Sequence, residues 1–598
     1  MKKIHSVIFT LIVCVTLFSC KDDFIEQQPI GSFPESIIST PDGIKKALTG
    51  AYAPLNGASN LATGPGQFLF GSIRGGEANR GSGNGVQPQM SEIQRFSVNS
   101  SNSSVLIFIT HFSDAIARTN MVLKNLPLVE GLADADKTQV EAEARFLRAH
   151  YHFMMKRVFK NIPWLDEASV DDPRVPNTDE SGNFVDVWPN IAADFKFAAE
   201  NLPPTQSIAG RPNSWAAKAL LAKTYLYMGN EGDDANYTLA KTLFDDVITN
   251  GVTYKGEKYA LAANYHDNFN SQKENGPESV YSVQHEVNDG SENNRANASM
   301  DILYIGSQNP SGPAMGRGYA YFNPSQWFVN HFRVDATGLP IFDDAARNAA
   351  FIKNDDGIES SAAFTPDAGL VDPRLDWSVG RRGIPFLDYG NMPGKAWIRD
   401  QAYAGPYISK KFFTLKSRDG IDTAPGRSEN NLNIAIIRFA DVLLMAAEVD
   451  ARLGNTEQAR IYVNQIRNRM ATNTTNPENW VLNADGTPAA NYKIALYPVG
   501  SPQFASPAKA LEAIFFERTL ELGLEGHRGY DAIRFGAEDG TTDTKELNGY
   551  LTYESTLRGF VSGATYSRDP DALIPLSQKA IENSFKDGKL TLTQNPGY

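Results

Sequence analysis

Cysteine is almost absent from this chain: two in 598 residues, Cys14 and Cys20. That scarcity excludes a disulfide scaffold, so an exported protein of this length must be held by its own core. Membrane-spanning runs are missing too. The apolar stretch Ile8 to Phe18 has eleven residues, interrupted by Thr10 and Thr16, whereas crossing a bilayer takes about 20. Positive charge is in deficit: 56 Lys and Arg face 69 Asp and Glu, a formal net of −13. Nucleic acid would need a basic face, so it is excluded as a partner. Catalytic motifs are also lacking. There is no His-Glu-x-x-His and no Gly-x-Ser-x-Gly, and the glycine-rich Gly71 to Gly85 lacks a Gly-Lys-Ser/Thr ending. His150 and His152 are two apart and diverge on a helix, so they cannot share a metal. No cofactor, metal or catalytic residue is therefore expected, although carboxylates meeting from distant positions would leave no motif.

The N-terminus has the three parts of an export signal. Lys2 and Lys3 precede the apolar stretch, which ends in Leu17-Phe18-Ser19-Cys20. A small residue directly before a cysteine resembles a bacterial lipobox. Residues 1–19 are expected to be cleaved and Cys20 acylated, with each buried methylene of the lipid contributing about 0.8 kcal/mol to anchoring. The mature chain is too long for one ordinary hydrophobic core, so two regions are expected, 20–250 and 251–598.

Aromatics are plentiful at 11%, with 23 Tyr and 7 Trp, beside 48 Gly and 33 Pro. This mixture suggests a helical frame carrying aromatic-rich loops. Periodicity predicts helices over 132–159, 187–202, 215–228, 237–248, 438–453 and 456–469. Ala447, Ala459, Val463 and Ile466 are spaced twelve, four and three apart; Ala240, Phe244 and Val247 repeat the last two steps, preceded by Ala222 and Tyr225. This spacing resembles the tetratricopeptide unit, in which small residues let antiparallel helices approach and each pair leaves a face for the next. The expected fold is mainly α, a tetratricopeptide-like helical superhelix with a loop-rich C-terminal region. The long irregular stretches 251–432 and 471–507 read as ordered excursions with short strands such as Ser279 to Val283.

Five segments then resemble one family in order. They are Ala144-Arg145-Phe146-Leu147-Arg148-Ala149-His150-Tyr151 through Trp164, Arg211 to Ala222, Ile437 to Glu448, Glu517 to Arg534, and Ile574-Pro575-Leu576 through Gln594-Asn595-Pro596-Gly597-Tyr598. Together they resemble the SusD/RagB family of nutrient-uptake lipoproteins. Lys21-Asp22-Asp23 beside the lipid cysteine is similar to the surface-export signal of Bacteroidetes lipoproteins. The resemblance implies an outer-membrane, outward-facing lipoprotein that binds a nutrient, with no bond made or broken. It also implies a partner, a SusC-type TonB-dependent transporter over which the chain sits as a lid. The ligand would be an oligosaccharide or, alternatively, a peptide; a surface glycoside hydrolase is the remaining rival. Glu517, Arg518, Glu521, Glu525 and Arg528 fall at helical steps and read as ion pairs locking a helix to its neighbour rather than as catalytic acids.

A polar ligand would be held by aromatic faces with amide and guanidinium hydrogen bonds. Two loop regions offer these, Gly64 to Asn99 and Tyr304 to Trp327, and in the family the ligand surface is assembled from loops in roughly these positions. A third stretch, Trp397 to Tyr407, adds to them. The candidate residues are Trp327, Tyr321, Tyr319, Phe68, Phe70, Arg74, Asn79, Arg80, Trp397 and Tyr403. Trp327 and Tyr321 are foremost, because glycines and Asn323 flank them, and their double substitution is expected to weaken binding while the fold survives.

Overall fold

The computed structural model describes residues 35–57, 62–291, 297–298, 320–424, 429–471 and 477–598. The expected signal segment, Cys20 and Tyr319 lie outside these residues. Six helices of twelve residues or more open the described fold. They are α1 (Pro41–Tyr52), α2 (Ser103–Asn125), α3 (Asp134–Phe159), α4 (Trp188–Asn201), α5 (Ser214–Asn230) and α6 (Ala235–Asn250). Local chemistry sets several of their ends. Thr40, Asn102 and Asn213 accept from backbone N–H groups of the first turns of α1, α2 and α5. Helix α4 stops just before Pro203-Pro204, which cannot continue it. Each of the six packs against the next in sequence.

The chain then leaves on an excursion. Short strands mark it: β1 (Ala78–Gly81) from an earlier loop, β2 (Ser279–Val283), β3 (Tyr321–Pro324), β4 (Val379–Gly380), β5 (Ile408–Ser409) and β6 (Ile434–Arg438). They form the antiparallel pairs β1·β3, β2·β6 and β4·β5. The short helix α7 (Gln326–Asn330) follows β3. Pairing of β6 with β2 returns the chain to the helices, and α8 (Phe439–Arg452) packs against α6. From there α9 (Thr456–Ala471) and α10 (Pro507–Glu521) continue the stack. Helices α11 (Arg528–Asp539) and α12 (Thr542–Ser555) pair with each other.

The fold is thus the mainly helical, tetratricopeptide-like arrangement expected, with the superhelix interrupted between α6 and α8. Ala240, Phe244 and Val247 of α6 and Ala447, Ala459, Val463 and Ile466 of α8 and α9 are fully buried. Burying Phe244 or Val247 contributes about 1.5–3 kcal/mol each, which requires the neighbouring pair as cover. One apolar cluster runs continuously from Ile38 to Leu576, so the core itself crosses position 250. A smaller cluster gathers Trp327, Phe515, Phe535 and Tyr550 beneath α7 and α12. Among the described residues, no helix is long and apolar enough to cross a membrane.

Candidate functional site

The three loop regions singled out in the sequence meet in space. Strands β1 and β3 pair with Asn79 opposite Asn323 and Gly81 opposite Tyr321. The helical turn Gln401–Ala404 lies against β1, where Asn79 Nδ2 donates to Ala404 O at 3.4 Å. From β3, Asn323 Nδ2 donates to Tyr407 O at 2.7 Å. The approach is tight. At Gly81, with φ of +76°, a Cβ would lie 2.3 Å from Asn323 Oδ1 and 2.5 Å from Ala320 O. Ser82, Ala320 and Phe322 also hold positive φ, at 61°, 54° and 68°. Such strained backbone persists only where its surroundings over-determine it, and it concentrates at ligand clamps.

The end of α12 grips all three regions. Tyr550 Oη donates to Asn79 Oδ1 at 2.9 Å, and Gln94 Nε2 donates to both Tyr550 Oη (2.5 Å) and Asn79 Oδ1 (3.2 Å). Glu554 Oε1 accepts from the backbone N–H of Trp327 at 2.8 Å, while its Oε2 accepts from Asn79 Nδ2 at 3.4 Å. Arg558, just past the helix, donates to Gln401 O (3.3 Å) and Ala402 O (3.2 Å) and pairs with Asp356 at 2.7 Å. Burial raises the pKa of the Glu554 carboxyl, which its hydrogen bonds and Arg558 only partly offset.

The individual side chains largely turn inward, which corrects the expected residue list. Trp327 is 1% exposed; its ring lies under the Arg528 guanidinium at 4.6 Å and beside His331 at 4.3 Å. Phe68 is buried against Phe322 (4.5 Å) and Phe412 (5.2 Å), and Phe70 against Phe108 (5.0 Å). Buried Arg74 donates to Asp571 O and stands over Phe96. Asn79 is internal to the network just described. Arg80 is buried too, donating to Gly83 O at 3.1 Å and lying 5.0 Å from the Tyr403 ring. Trp397 belongs to a small core with Phe386 and Phe413. In this conformation none of these seven offers a ligand an open face.

Tyr321 and Tyr403 are the candidates left at the rim, both half-buried. Tyr403 is braced by Phe560 at 4.7 Å and by Arg80. Exposed Arg399 stands beside them, donating to Ser82 Oγ at 3.4 Å. Within the expected loop Gly64 to Asn99, Gly71 and Gly75 serve close packing rather than an open ligand surface. At Gly71 a Cβ would meet Gly526 O at 2.0 Å, and at Gly75 it would meet Gly529 N at 2.5 Å. They are there so that two backbones can touch, and what flanks such a contact is core.

The ion-pair expectation holds. Glu517 pairs with Arg374 (2.7 Å) and Arg467 (2.8 Å); Glu521 pairs with Arg374 (3.1 Å), Arg438 (2.8 Å) and Arg469. Glu525 binds Arg438 (2.8 Å) and Lys411 (2.7 Å), and Arg518 bridges Asp441 and Asp531, both at 2.7 Å. Burial pushes the Glu521 carboxyl up, but Arg469, Arg438 and Arg374 together hold it far below the usual carboxylate range. Both Glu517 and Glu521 are fully buried and claimed by guanidinium groups. On one helical turn they also cannot straddle a glycosidic bond.

Comparison with known proteins agrees with this architecture. The sequence profile described as the SusD family matches residues 277–598, more than half of the chain, and a second, described as starch-binding associating with outer membrane, matches residues 23–226. SusD-like protein P25 of Formosa agariphila is 24% identical over 552 residues, covering 89% of this chain and 90% of the relative. SusD-like protein P2 of the same organism is 29% identical over 222 residues, 37% of this chain, and the match spans 42% of that relative. Among solved structures, surface glycan-binding protein A from Bacteroides thetaiotaomicron, in complex with laminarihexaose, aligns with a TM-score of 0.58 at 17% identity. That alignment covers 93% of this chain and 99% of that one. This chain belongs to the SusD family.

Proposed function

We propose that the protein is a surface glycan-binding lipoprotein, anchored through acylated Cys20, which serves as the lid of a SusC-type TonB-dependent transporter. The convergence of three distant loop segments on one strained, braced rim carries this reading. Tyr321, Tyr403 and Arg399 stand there with the aromatic and guanidinium chemistry that sugar rings and hydroxyls use. The glycan class is supported by the starch-binding description of the matching profile and by the laminarihexaose complex of a structural neighbour. The chain performs no bond chemistry; its work is differential affinity between open and closed states of the transporter.

The test is calorimetry with laminarin and starch oligosaccharides against the wild type and a Tyr321→Ala, Tyr403→Ala double variant. A folded variant with at least tenfold weaker binding is the expected outcome. Unaltered affinity would remove the rim from the site. Hydrolysis of either glycan by the purified protein would overturn the binding role itself. Cys20→Ala should abolish fatty-acid labelling and surface display together.

A further inference from the structure

A cavity of about 290 Å³ opens between the segment Ala262–Ser282 and strand β6, away from the rim. Four packed rings separate the two. From β3 inward they are Phe322 and Phe68 (4.5 Å), Phe412 (5.2 Å) and Phe269 (5.8 Å). The last two line the cavity as buried apolar surface.

The walls carry hydrogen-bonding capacity that the protein leaves unused. Glu274 Oε1 accepts from the backbone N–H of Asn433 at 2.7 Å, and its second oxygen has no partner among the described residues. Asn270 Oδ1 takes the N–H of Gln272 at 3.0 Å, which leaves its Nδ2 without a partner among them. Asn268 uses its Nδ2 on Tyr265 O (3.2 Å) and Glu278 (3.1 Å), leaving its carbonyl oxygen. Burial first, then the nearby Asp422 and Glu286, push Glu274 up to about 8. At neutral pH it therefore offers an O–H as well as a carbonyl oxygen.

Charge in the cavity points to one ligand class. Arg438 is committed to Glu278, Glu521 and Glu525 and is not available to an anion. Exposed Lys273 at the lip offsets Asp267, and Glu274 is neutral. The volume sits at the lower end of small-molecule pockets, roughly 300 Å³. We propose that this cavity is a second binding site, separate from the rim, for a small neutral polyhydroxylated molecule the size of one sugar ring.

Saturation-transfer NMR and calorimetry with glucose, galactose, mannose, xylose and N-acetylglucosamine would test it, with glucuronate and glucosamine as charged comparators. At least one neutral sugar should bind saturably. Glu274→Ala and Asn270→Ala should each weaken it at least fivefold in protein that still folds, and Tyr403→Ala should leave it as in the wild type. The proposal is overturned if no neutral sugar saturates, if only a charged comparator binds, or if Tyr403→Ala abolishes binding. Wild-type affinity in folded Asn270→Ala would also sink it, and that variant decides should Glu274→Ala not fold. Rim binding is read separately with laminarin and starch, so either site can fail alone.

Discussion

Trp327 and Tyr403 show how differently two loop aromatics can act. Trp327 is sealed in a cluster with Phe515, Phe535 and Tyr550, and its backbone N–H is held by Glu554. Truncation to alanine removes a large buried ring and should cost about 3–5 kcal/mol of stability, measurable as a shift in the urea midpoint. Tyr403, half-buried at the rim, should behave in the opposite way. Tyr403→Ala is expected to lower glycan affinity while stability falls by only about 1 kcal/mol, near the centre of the distribution for point mutants. A Trp327→Ala variant as stable as the wild type would mean that the ring is not packed as described.

At the scale of elements, α10 and α12 perform two distinct jobs. Helix α10 presents Glu517 and Glu521 to arginines from the turn at Arg374, from β6 and from α9. Glu521→Ala would leave the cluster of Arg374, Arg438 and Arg469 one buried negative charge short, a loss of about 3–5 kcal/mol. Chemical denaturation should show it, and Glu512→Ala, a half-buried residue of α10 paired with Lys509 and Lys545, should not. Helix α12 holds the rim instead. Glu554→Ala removes the acceptor of the Trp327 N–H and one of Asn79's partners. Each buried donor left unpaired costs about 1–3 kcal/mol. Hydrogen exchange should quicken at Trp327 and along β1. If exchange there is unchanged, α12 does not position the rim.

For the whole molecule, acid should be more damaging than the carboxylate network alone would suggest. Burial holds His150, His152 and His266 neutral with pKa values near 3, and His285 and His527 near 4. Unfolded, they would take up protons near pH 6.5. The unfolded chain therefore binds more protons as pH falls through that range, and stability must decline. Depressed carboxylates such as Asp441, Glu448, Glu525 and Asp531 act in the same direction further down, losing their contribution as pH falls below about 4.5. The melting temperature should thus drop steadily from about pH 6.5. A plateau down to pH 4.5 would contradict the buried neutral histidines. The continuous core makes a second prediction. A fragment ending at Asn250 exposes the face of α6 that α8 covers, so it should collapse or aggregate rather than fold alone.

Helix positions were legible in the linear chain because a 3.6-residue period is a local property. The expected 132–159, 187–202, 215–228 and 438–453 fall within two residues of the ends of α3, α4, α5 and α8, and strand β2 occupies Ser279–Val283 as read. Periodicity does not predict helix α2. Its Val105 to Thr110 is rich in residues that favour strands, and packing against α1 and α3 overrides that preference. The loop segments that meet at the rim were also legible, since glycine, asparagine and aromatics cluster there. Which side chains face outward was not. By itself the sequence determined the helical repeat, the buried ion-pair motif and the neighbourhood of the rim. Only the tertiary structure decided that Trp327, Phe68 and Arg74 turn inward, because orientation depends on what packs against a loop from hundreds of residues away. Glu554 and Gly526 leave no trace of that in the local pattern around Trp327 and Gly71.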